Sequence, residues 1–406
     1  MTDTPRFVVI GAGHAGGRAA EAMRALGFAG RIVLIGDEPH LPYERPPLSK
    51  ELLQGKPEMF QLMRPAEFWR DKDIECRLGM RATRIDPAAR TVTLADGARE
   101  PYDKLLLTTG GAVRRLRVPG AELGNVLYLR TLDDARAIDA RLAPGRKVVV
   151  IGGGFIGLET AASARLRGCA VTVIELADRL MARAVPPEVS ATFLALHRAR
   201  GVDVRLDTGV ERLEGTGDVE RVVTSTGEAI AADLVVVGVG IAPDTALAAE
   251  TGIAVANGIV VDEYCRTSVP GIFAAGDVTS HFSPVYRRHI RLESWQNAQN
   301  QAIAAARVMC GQETPYVEVP WMWSDQFDAK LEIAGLPERW DTVVFRGDTN
   351  GTDYMIFQLE GGRLVGAVSV NQPRDMRFAR RLLQSSKEVD PAALADTSTS
   401  MRGLAR

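Results

Sequence analysis

The sequence has few cysteines, and their spacing suggests neither a redox pair nor a metal site. The chain of 406 residues contains four of them, Cys76, Cys169, Cys265 and Cys310. None belongs to a Cys-x-x-Cys motif or lies at a metal-ligand spacing from another. We therefore expect buried free thiols and no metal site. Thiols that are not oxidised favour a reducing cytoplasm as the location of the protein.

The chain also lacks a strong excess of charge of one sign and any long apolar run. Its 49 Lys and Arg residues and 51 Asp and Glu residues give a formal net charge of −2, whereas a nucleic-acid-binding protein normally has a basic excess. No segment approaches the roughly 18 apolar residues of a membrane-spanning helix. The first strand begins almost at the N-terminus, so we expect no separate signal peptide. We predict no nucleic-acid or membrane partner, and the oligomeric state stays open.

The remaining composition is that of a globular protein with more than one domain. Hydrophobic residues make up 46% of the chain and charged residues 25%, which is typical of soluble globular proteins. A chain of this length is too long for one ordinary core, so we expect two or three domains.

Two glycine fingerprints, each between a hydrophobic strand and a helix, are the most informative pattern. The first, GAGHAG at residues 11–16, follows a strand at 7–10, and the second, GGGFIG at 152–157, follows a strand at 148–151. In each, the first glycine makes a tight turn and the second lets the backbone approach a pyrophosphate. The third allows close packing of helix on strand, and the helix N-terminus faces the negative charge. Two such fingerprints predict two bound dinucleotides.

An acidic residue follows the second strand of each repeat. Asp37 stands there in the first repeat and Glu175 in the second. A carboxylate at this position can accept hydrogen bonds from the ribose hydroxyls of an adenosine, which strengthens the prediction of two dinucleotide sites.

The rest of the chain shows further strands, a linker and, near residue 320, a change in the pattern of predicted secondary structure. A segment rich in Pro, Gly and Arg at 111–120 reads as a linker, and the part from 320 onward reads as a separate α+β module. Apolar periodicity predicts strands at 91–94, 104–107, 234–237, 271–274, 342–345, 353–359 and 363–370, and helices at 132–142 and 374–383.

Four segments carry a more specific signal than the fingerprints. They are PYERPPLSK at 42–50, YLRTL at 128–132, the Gly-Asp turn at 276–277 and PWMWSDQ at 320–326. Together with the fingerprints they resemble the NADH-dependent ferredoxin reductases of bacterial oxygenase systems over essentially the whole chain. The resemblance implies an α/β fold with two Rossmann-like dinucleotide-binding domains of the glutathione-reductase type and a C-terminal α+β domain.

The same resemblance implies the domain boundaries. The FAD-binding domain is discontinuous, at 1–112 and 244–319, because the NAD-binding domain at 113–243 is inserted into it. The C-terminal α+β domain covers 320–406.

The resemblance also assigns residues to FAD. Lys50 follows the stiff pair Pro46-Pro47, and there it would be a fixed positive charge that favours the anionic reduced flavin. The alternative is that Lys50 is an exposed lysine at the start of a helix, without a role at the flavin. For Trp295, Trp321 and Trp323, a role in electron transfer and simple packing both stay open. The implied FAD contacts are Gly11, Gly13, Ala15 and Gly16 at the pyrophosphate, Asp37 at the ribose, and Lys50, Ala82, Arg130, Asp277 and Trp295 elsewhere.

A second set of residues is implied for NADH. Glu175 would repel the 2′-phosphate of NADPH, although Arg179 and Arg183 nearby keep that coenzyme open. Glu159 is implied to face the nicotinamide carboxamide and to approach Lys50, and these two are the candidate catalytic residues. An ordinary first-turn glutamate is the alternative. The implied NADH contacts are Gly152, Gly154, Ile156, Gly157, Glu159, Glu175 and Gly240.

The implied function is transfer of electrons from NADH through FAD to a [2Fe–2S] ferredoxin that supplies a Rieske dioxygenase or haem monooxygenase. The ferredoxin would bind transiently through charge, for which Arg287, Arg288, Arg291, Arg374 and Arg377 are candidates. A disulfide reductase is disfavoured because residues 41–50 contain no cysteine. Rubredoxin reduction is the alternative activity. A non-catalytic, NADH-responsive flavoprotein that acts by binding a partner is the alternative of another class.

Overall fold

The computed structural model describes residues 4–385 and 387–405, which pack into two compact units. The first unit contains the residues up to Glu44, Gln61–Ala112 and Ile241–Pro320. The second contains Arg45–Phe60, Val113–Gly240 and the residues from Trp321 onward. This division follows packing and not bound ligands, so the domain boundaries given above stay a prediction.

The helices and strands are numbered here in chain order. Two short 3-10 helices, Pro46–Leu48 and Pro57–Met59, are left without labels. The helices are α1 (His14–Ala25), α2 (Ala66–Asp71), α3 (Leu132–Asp139), α4 (Phe155–Leu166), α5 (Pro187–Ala199), α6 (Ala246–Ala249), α7 (Trp295–Met309), α8 (Pro373–Ser385), α9 (Pro391–Ala395) and α10 (Met401–Leu404). The strands are β1 (Arg6–Ile10), β2 (Arg31–Ile35), β3 (Ile74–Arg77), β4 (Ala82–Asp86), β5 (Thr91–Leu94), β6 (Arg99–Pro101), β7 (Lys104–Leu107), β8 (Gly111–Val113), β9 (Val126–Tyr128), β10 (Lys147–Ile151), β11 (Ala170–Ile174), β12 (Asp203–Arg205), β13 (Val210–Glu214), β14 (Arg221–Thr224), β15 (Ala229–Ala231), β16 (Leu234–Val237), β17 (Ile241–Pro243), β18 (Val255–Ala256), β19 (Gly258–Val261), β20 (Ile272–Ala274), β21 (Thr279–Ser283), β22 (Arg288–Ile290), β23 (Trp321–Gln326), β24 (Ala329–Gly335), β25 (Thr342–Gly347), β26 (Tyr354–Glu360) and β27 (Arg363–Val370).

A parallel sheet forms the centre of the first unit. Its strand order is β20-β7-β1-β2-β3, and all four pairings are parallel. The apolar residues of β1, β2 and β7 are buried, as expected for a sheet covered on both faces. Since β2 and β7 lie on opposite sides of β1, the chain leaves a crevice at the carboxyl end of β1. The first fingerprint begins at this point.

Two further sheets lie in the first unit. Strands β4, β5 and β6 form an antiparallel sheet, and β18, β19, β21 and β22 form a mixed one. Helix α1 packs against α7, which brings the start of the chain next to residues near 300.

The second unit repeats the same arrangement. Its parallel sheet has the order β12-β11-β10-β16-β9, so β10 takes the place that β1 has in the first unit. Strands β13, β14 and β15 form a small antiparallel sheet. The second fingerprint therefore also begins at the carboxyl end of a central strand.

An antiparallel sheet and three helices make up the C-terminal part of the second unit. The strand order is β23-β24-β27-β26-β25, and α8 packs on β27 and β24. Met376, Ala379, Leu382 and Leu383 of α8 are buried, a spacing that places them on one face of a helix. This is the predicted α+β module, although the sequence prediction missed β23 and β24.

A buried arginine fastens the last helices to this sheet. Arg346 on β25 is buried, and its guanidinium donates to the carbonyl oxygens of Leu394 at 3.2 Å and Asp396 at 2.6 Å. It also donates to the carbonyls of Thr397 and Thr399. Because a buried charge needs such partners, the segment that follows α9 is part of the folded module.

The predicted fold class is confirmed. Both fingerprints follow a strand and open a helix, and the predicted strands at 91–94, 104–107, 234–237 and 363–370 have the predicted bounds. The predicted helix at 132–142 ends earlier, at Asp139. Within the described residues, no helix combines the length and apolar content that crossing a membrane requires.

Candidate active site

The first cradle is a backbone turn that only glycine can form. Gly11 has a φ of +105°, and a Cβ there would lie 2.3 Å from the carbonyl oxygen of Thr108. A Cβ at Gly16 would lie 1.9 Å from the carbonyl oxygen of Gly11. Gly13 is the N-cap of α1, and within the described part of the chain no side chain caps that helix. The N–H groups of its first turn therefore remain available to an anion such as a pyrophosphate.

The Gly276-Asp277 turn lies against this cradle. A Cβ at Gly276 would lie 3.1 Å from the Cβ of Ala15, so Asp277 is placed beside the start of α1. The side-chain oxygen of Gln301 holds the turn, because it accepts from the Gly276 N–H at 2.8 Å and from the Thr279 hydroxyl at 3.0 Å. The structure thus brings the predicted FAD contacts Ala15 and Asp277 together.

Trp295 lies at the same end of α1. It is the first residue of α7, whose N-cap Ser294 accepts from the Asn297 N–H. Its indole ring lies 5.0 Å from the ring of His14, measured between centroids. Trp295 is therefore positioned next to the first fingerprint, as the FAD prediction requires.

Asp37 and Ala82 lie further along the same edge. A Cβ at Gly36 would lie 2.5 Å from the Cβ of Ala12, so the next residue, Asp37, lies near the first fingerprint. Asp37 is exposed. The Met80 N–H donates to the Gly36 carbonyl at 2.8 Å, and Ala82 follows two residues later at the start of β4. These positions fit one elongated ligand along the first cradle.

The second cradle has the same backbone. Gly152 has a φ of +111°, and a Cβ there would lie 2.5 Å from the carbonyl oxygen of Gly238. A Cβ at Gly157 would lie 2.0 Å from the Gly152 carbonyl oxygen. Gly154 is the N-cap of α4, and among the described residues no side chain caps this helix either. Ile156 in its first turn is 45% exposed, so this cradle is open to solvent. Gly240, a little beyond β16, has a φ of +95°.

Glu175 is anchored to the second cradle. Its carboxylate accepts from the Gly153 N–H at 2.6 Å and from the Ala177 N–H at 2.8 Å. The Arg179 guanidinium points elsewhere, since it donates to the carbonyls of Ala182 and Val185. Arg179, one of the two arginines that left NADPH open, therefore holds a loop of its own chain, whereas Arg183 is exposed.

Lys50 and Glu159 form a buried ion pair. The distance from Lys50 Nζ to Glu159 Oε2 is 2.7 Å, and the residues are 8% and 3% exposed. The Ser49 hydroxyl donates to the same oxygen at 2.5 Å, and the Ser324 hydroxyl donates to Oε1 at 2.6 Å. Two opposite charges that are paired and hydrogen-bonded can stay ionised in the interior. The predicted approach of Glu159 to Lys50 is present.

Arg130 lies in the second unit, like Lys50, whereas the other predicted FAD contacts lie in the first. Its N–H donates to Asp134 Oδ2 at 3.1 Å, next to the capping box with which Thr131 starts α3. Its carbonyl oxygen accepts from the guanidinium of Arg45. Arg130 is thus held at the start of a helix.

Trp321 and Trp323 pack within the C-terminal module. Their rings are stacked with centroids 5.2 Å apart, and the Arg380 guanidinium of α8 lies 4.5 Å from the Trp321 ring. This geometry provides a packing role for both.

Sequence reasoning missed three polar residues around the ion pair. Ser49, Ser324 and Gln326 are buried, and each lies in a segment that carried the family resemblance. Nothing in their local pattern distinguishes them, because each makes a hydrogen bond to a residue more than a hundred positions away.

Comparison with known sequences agrees with this geometry. The profile described as pyridine nucleotide-disulphide oxidoreductase matches residues 5–302. The chain belongs to this family. A second profile, described as reductase C-terminal, matches residues 321–405.

Relatives at 37–45% identity include ferredoxin–NAD(+) reductases of oxygenase systems. Rhodocoxin reductase of Rhodococcus erythropolis is 45% identical over 98% of this chain and 93% of its own length. The ferredoxin–NAD(+) reductase component of the anthranilate 1,2-dioxygenase system of Burkholderia cepacia is also 45% identical, over 98% of both chains. The solved structure of a covalent putidaredoxin reductase–putidaredoxin complex matches with a TM-score of 0.94 and 37% identity over 98% of each chain. The predicted resemblance is confirmed, and the predicted cofactors FAD and NADH are those of such reductases.

The cysteines set this member apart from the disulfide reductases whose family name it shares. Residues 41–50 contain no cysteine. All four cysteines are free thiols, but only Cys169 and Cys265 are buried as predicted, whereas Cys76 and Cys310 are half-buried. Burial raises the pKa of Cys76 to about 11 and raises the pKa values of Cys169, Cys265 and Cys310 as well. Because the reactive form is the thiolate, none of these thiols is poised for redox exchange near neutral pH.

Proposed function

We propose that this chain transfers electrons from NADH through FAD to a [2Fe–2S] ferredoxin that supplies a bacterial oxygenase. The proposal rests on one observation above the others. A single chain without a redox cysteine pair holds two glycine cradles, one of them beside the buried pair of Lys50 and Glu159.

The residues of the first cradle fit FAD. Gly11 and Gly16 leave the space that a Cβ would fill, and the first turn of α1 offers backbone N–H groups to a pyrophosphate. Asp277 and Asp37 supply carboxylates on either side for hydroxyl groups. When bound, FAD exchanges electrons in pairs with a nicotinamide and singly with an iron–sulfur cluster.

The residues of the second cradle fit NADH better than NADPH. Glu175 is held in place by two backbone N–H groups, so a negative charge is fixed where a 2′-phosphate would lie. Arg179 is committed to backbone carbonyls. These two observations support NADH as the coenzyme.

We assign Lys50 and Glu159 a role in positioning and charge and not in proton transfer. Lys50 supplies a fixed positive charge, and Glu159 orients it through the 2.7 Å ion pair. Since no proton needs to be moved by a side chain in such electron transfer, the contribution of the protein is orientation and electrostatics.

The exposed face of α8 is our proposed contact for the ferredoxin. Arg374, Arg377 and Arg381 are exposed there, at spacings that lie on one side of a helix. The acid of this helix, Asp375, is turned to Arg346. Of the other candidates, Arg291 donates to Asn257. Exposed arginines on one side of a helix favour an acidic, transient partner.

A reducing cytoplasm stays our proposal for the location. It is supported by four free thiols, one of them fully buried beside the Gln301 carbonyl.

Turnover of the FAD-loaded protein tests the proposal. Stopped-flow spectroscopy would follow flavin bleaching with NADH and NADPH, and cytochrome c reduction would then report transfer through candidate [2Fe–2S] ferredoxins. We expect rapid bleaching with NADH and transfer to a ferredoxin. A colourless protein that cannot be reconstituted with FAD would refute the proposal. Slow bleaching without transfer to any ferredoxin would favour a partner-binding flavoprotein, and preferred transfer to rubredoxin would favour the alternative enzyme.

A charge reversal on α8 tests the ferredoxin contact. Arg377→Glu should raise the KM for an acidic ferredoxin about tenfold at low salt, and added salt should shrink the difference. Arg70→Glu, which changes an exposed arginine of α2, is the matched control and should have little effect. Equal effects of both variants would argue against the assigned face.

A further inference from the structure

A row of buried polar side chains leads from Glu159 to His197 in the second unit. Glu159 Oε1 lies 2.6 Å from the Ser324 hydroxyl, and Ser324 Oγ lies 3.1 Å from Gln326 Nε2. Gln326 Oε1 lies 2.9 Å from His197 Nε2. All four residues are at most 3% exposed. Burying polar groups lowers the stability of a protein unless they are hydrogen-bonded to one another. A continuous row of four such residues therefore suggests a role beyond packing.

The hydrogen bonds of the row all point the same way. Gln326 donates from its amide nitrogen to Ser324, and Ser324 donates to the Glu159 carboxylate. Burial lowers the pKa of His197. Because the partner of its Nε2 is the amide oxygen of Gln326, which can only accept, the ring nitrogen is the donor of this hydrogen bond. Every donor thus points toward Glu159, and the row stabilises the charge on its carboxylate.

Among the described residues, three donors reach the Glu159 carboxylate, which leaves one acceptor position. Its two oxygens offer about four lone-pair positions. Lys50 and Ser49 occupy two on Oε2, and Ser324 occupies one on Oε1. The remaining position is on Oε1. The hydrogen bond from the Ser324 hydroxyl restrains the orientation of the carboxylate, and therefore the direction in which this remaining position points.

We propose that Ser324, supported by Gln326 and His197, is a positioning residue that presents the remaining Oε1 position of Glu159 to the carboxamide of the nicotinamide ring. This rests on the proposed function, because it takes the second cradle as the NADH site. The C-terminal sheet then controls how the coenzyme is held at its nicotinamide end, through a residue that does not itself touch the coenzyme.

Binding of two nucleotides that differ only at that end tests the proposal. ADP-ribose carries the adenosine and pyrophosphate of NAD⁺ but has no nicotinamide. In the FAD-loaded protein, Ser324→Ala should weaken NAD⁺ about tenfold by isothermal titration calorimetry, which is what one hydrogen bond to a charged group contributes. The Kd of ADP-ribose should change less than about twofold, since its contacts lie at the other end of the cradle. Ser324→Thr keeps the hydroxyl and should restore most of the affinity for NAD⁺.

Ser369→Ala is a matched control. Ser369 is a fully buried serine of β27 in the same sheet, and its hydroxyl has no hydrogen-bond partner among the described residues. This variant should leave both affinities unchanged. Gln326→Leu removes the support of Ser324 without touching Glu159, and it should weaken NAD⁺ about threefold with ADP-ribose unchanged.

The possible outcomes separate this inference from the proposed function. If Ser324→Ala binds NAD⁺ as tightly as the parent protein, or loses NAD⁺ and ADP-ribose to the same extent, the inference is wrong. If the parent protein itself binds neither nucleotide, the proposed function fails first.

Discussion

The two cradles share one backbone and differ in what surrounds it. Gly11 and Gly152 have φ values of +105° and +111°, and at both positions a Cβ would meet a carbonyl oxygen. Ala15 in the first cradle is 8% exposed and packs against Gly276, whereas Ile156 at the matching place in the second is 45% exposed. The residue before the third glycine is thus buried in the first cradle and exposed in the second. This difference suits a cofactor that stays bound and a coenzyme that must leave after each turnover.

The two helices also carry opposite charges at the same position of the repeat. In the first helix this residue is Arg18, which pairs with Glu21 at 3.0 Å and lies 3.7 Å from Glu44. In the second it is Glu159, paired with Lys50. The repeated fold thus places a charged, paired side chain at the same helix position in both units, with opposite sign.

Alanine at the first glycine of each cradle should separate the two sites most sharply. Gly11→Ala places a Cβ against the Thr108 carbonyl, so the purified protein should lack FAD. Gly152→Ala creates the same kind of clash with Gly238 and should keep FAD while losing its response to NADH. The ratio of flavin to protein absorbance measures the first effect, and bleaching by NADH measures the second.

Gly27→Ala is the control for this pair. Gly27 has a φ of +82° but no atom within 4 Å of its would-be Cβ. It should therefore suffer only the conformational strain, about 1–2 kcal/mol, and keep both functions. Retention of FAD by Gly11→Ala would contradict the assignment of FAD to the first cradle.

Neutralising Glu159 and Arg18, which stand at matching positions of the repeat, should lower the free energy of unfolding by different amounts, because only Glu159 belongs to a deeply buried ion pair. Glu159→Gln leaves Lys50 buried without its counter-charge, so the free energy of unfolding should fall by about 3 kcal/mol. Arg18→Gln breaks a more exposed pair and should cost less than about 1 kcal/mol. Urea denaturation of the FAD-loaded variants measures both values. Equal losses would mean that the sites do not differ in this respect.

The acids that follow the second strands should give the smallest effect. Glu175→Ala should weaken NADH and reduce the preference for NADH over NADPH about tenfold, the equivalent of about 1.4 kcal/mol. Asp37→Ala in the first unit should leave that preference unchanged, and so should Asp178→Ala, which removes an exposed acid close to Glu175. The ratio of kcat/KM with NADH to kcat/KM with NADPH measures this preference in each variant. An unchanged ratio in Glu175→Ala would count against its role.

Local patterns allowed both cradles to be predicted, because a strand, a glycine turn and a helix follow one another directly. The central strands were predicted to within one residue at their starts. In the C-terminal module, β23 and β24 were missed. The first three residues of β23, Trp321 to Trp323, are all half-buried, so they show no alternation from which a strand could be predicted.

The ion pair and its surroundings show the limit of sequence reasoning. Lys50 and Glu159 are 109 positions apart, and only the family resemblance indicated that they meet. Ser324 and Glu159 are separated by 165 positions, and a serine in a strand carries no mark of a distant carboxylate. Such contacts are decided by how whole elements pack, which local periodicity does not encode.

The Arg346 clamp has a consequence for the order of events during biosynthesis. The carbonyl of Leu394 comes 48 positions after the guanidinium that it accepts from. Until this stretch has been made, the Arg346 guanidinium lacks these carbonyl partners. Strand β25, at the edge of the sheet, also lacks α9, which packs on it in the folded protein. The C-terminal sheet therefore reaches its final form only once residues 394–399 have been made, after the sequences of both cradles.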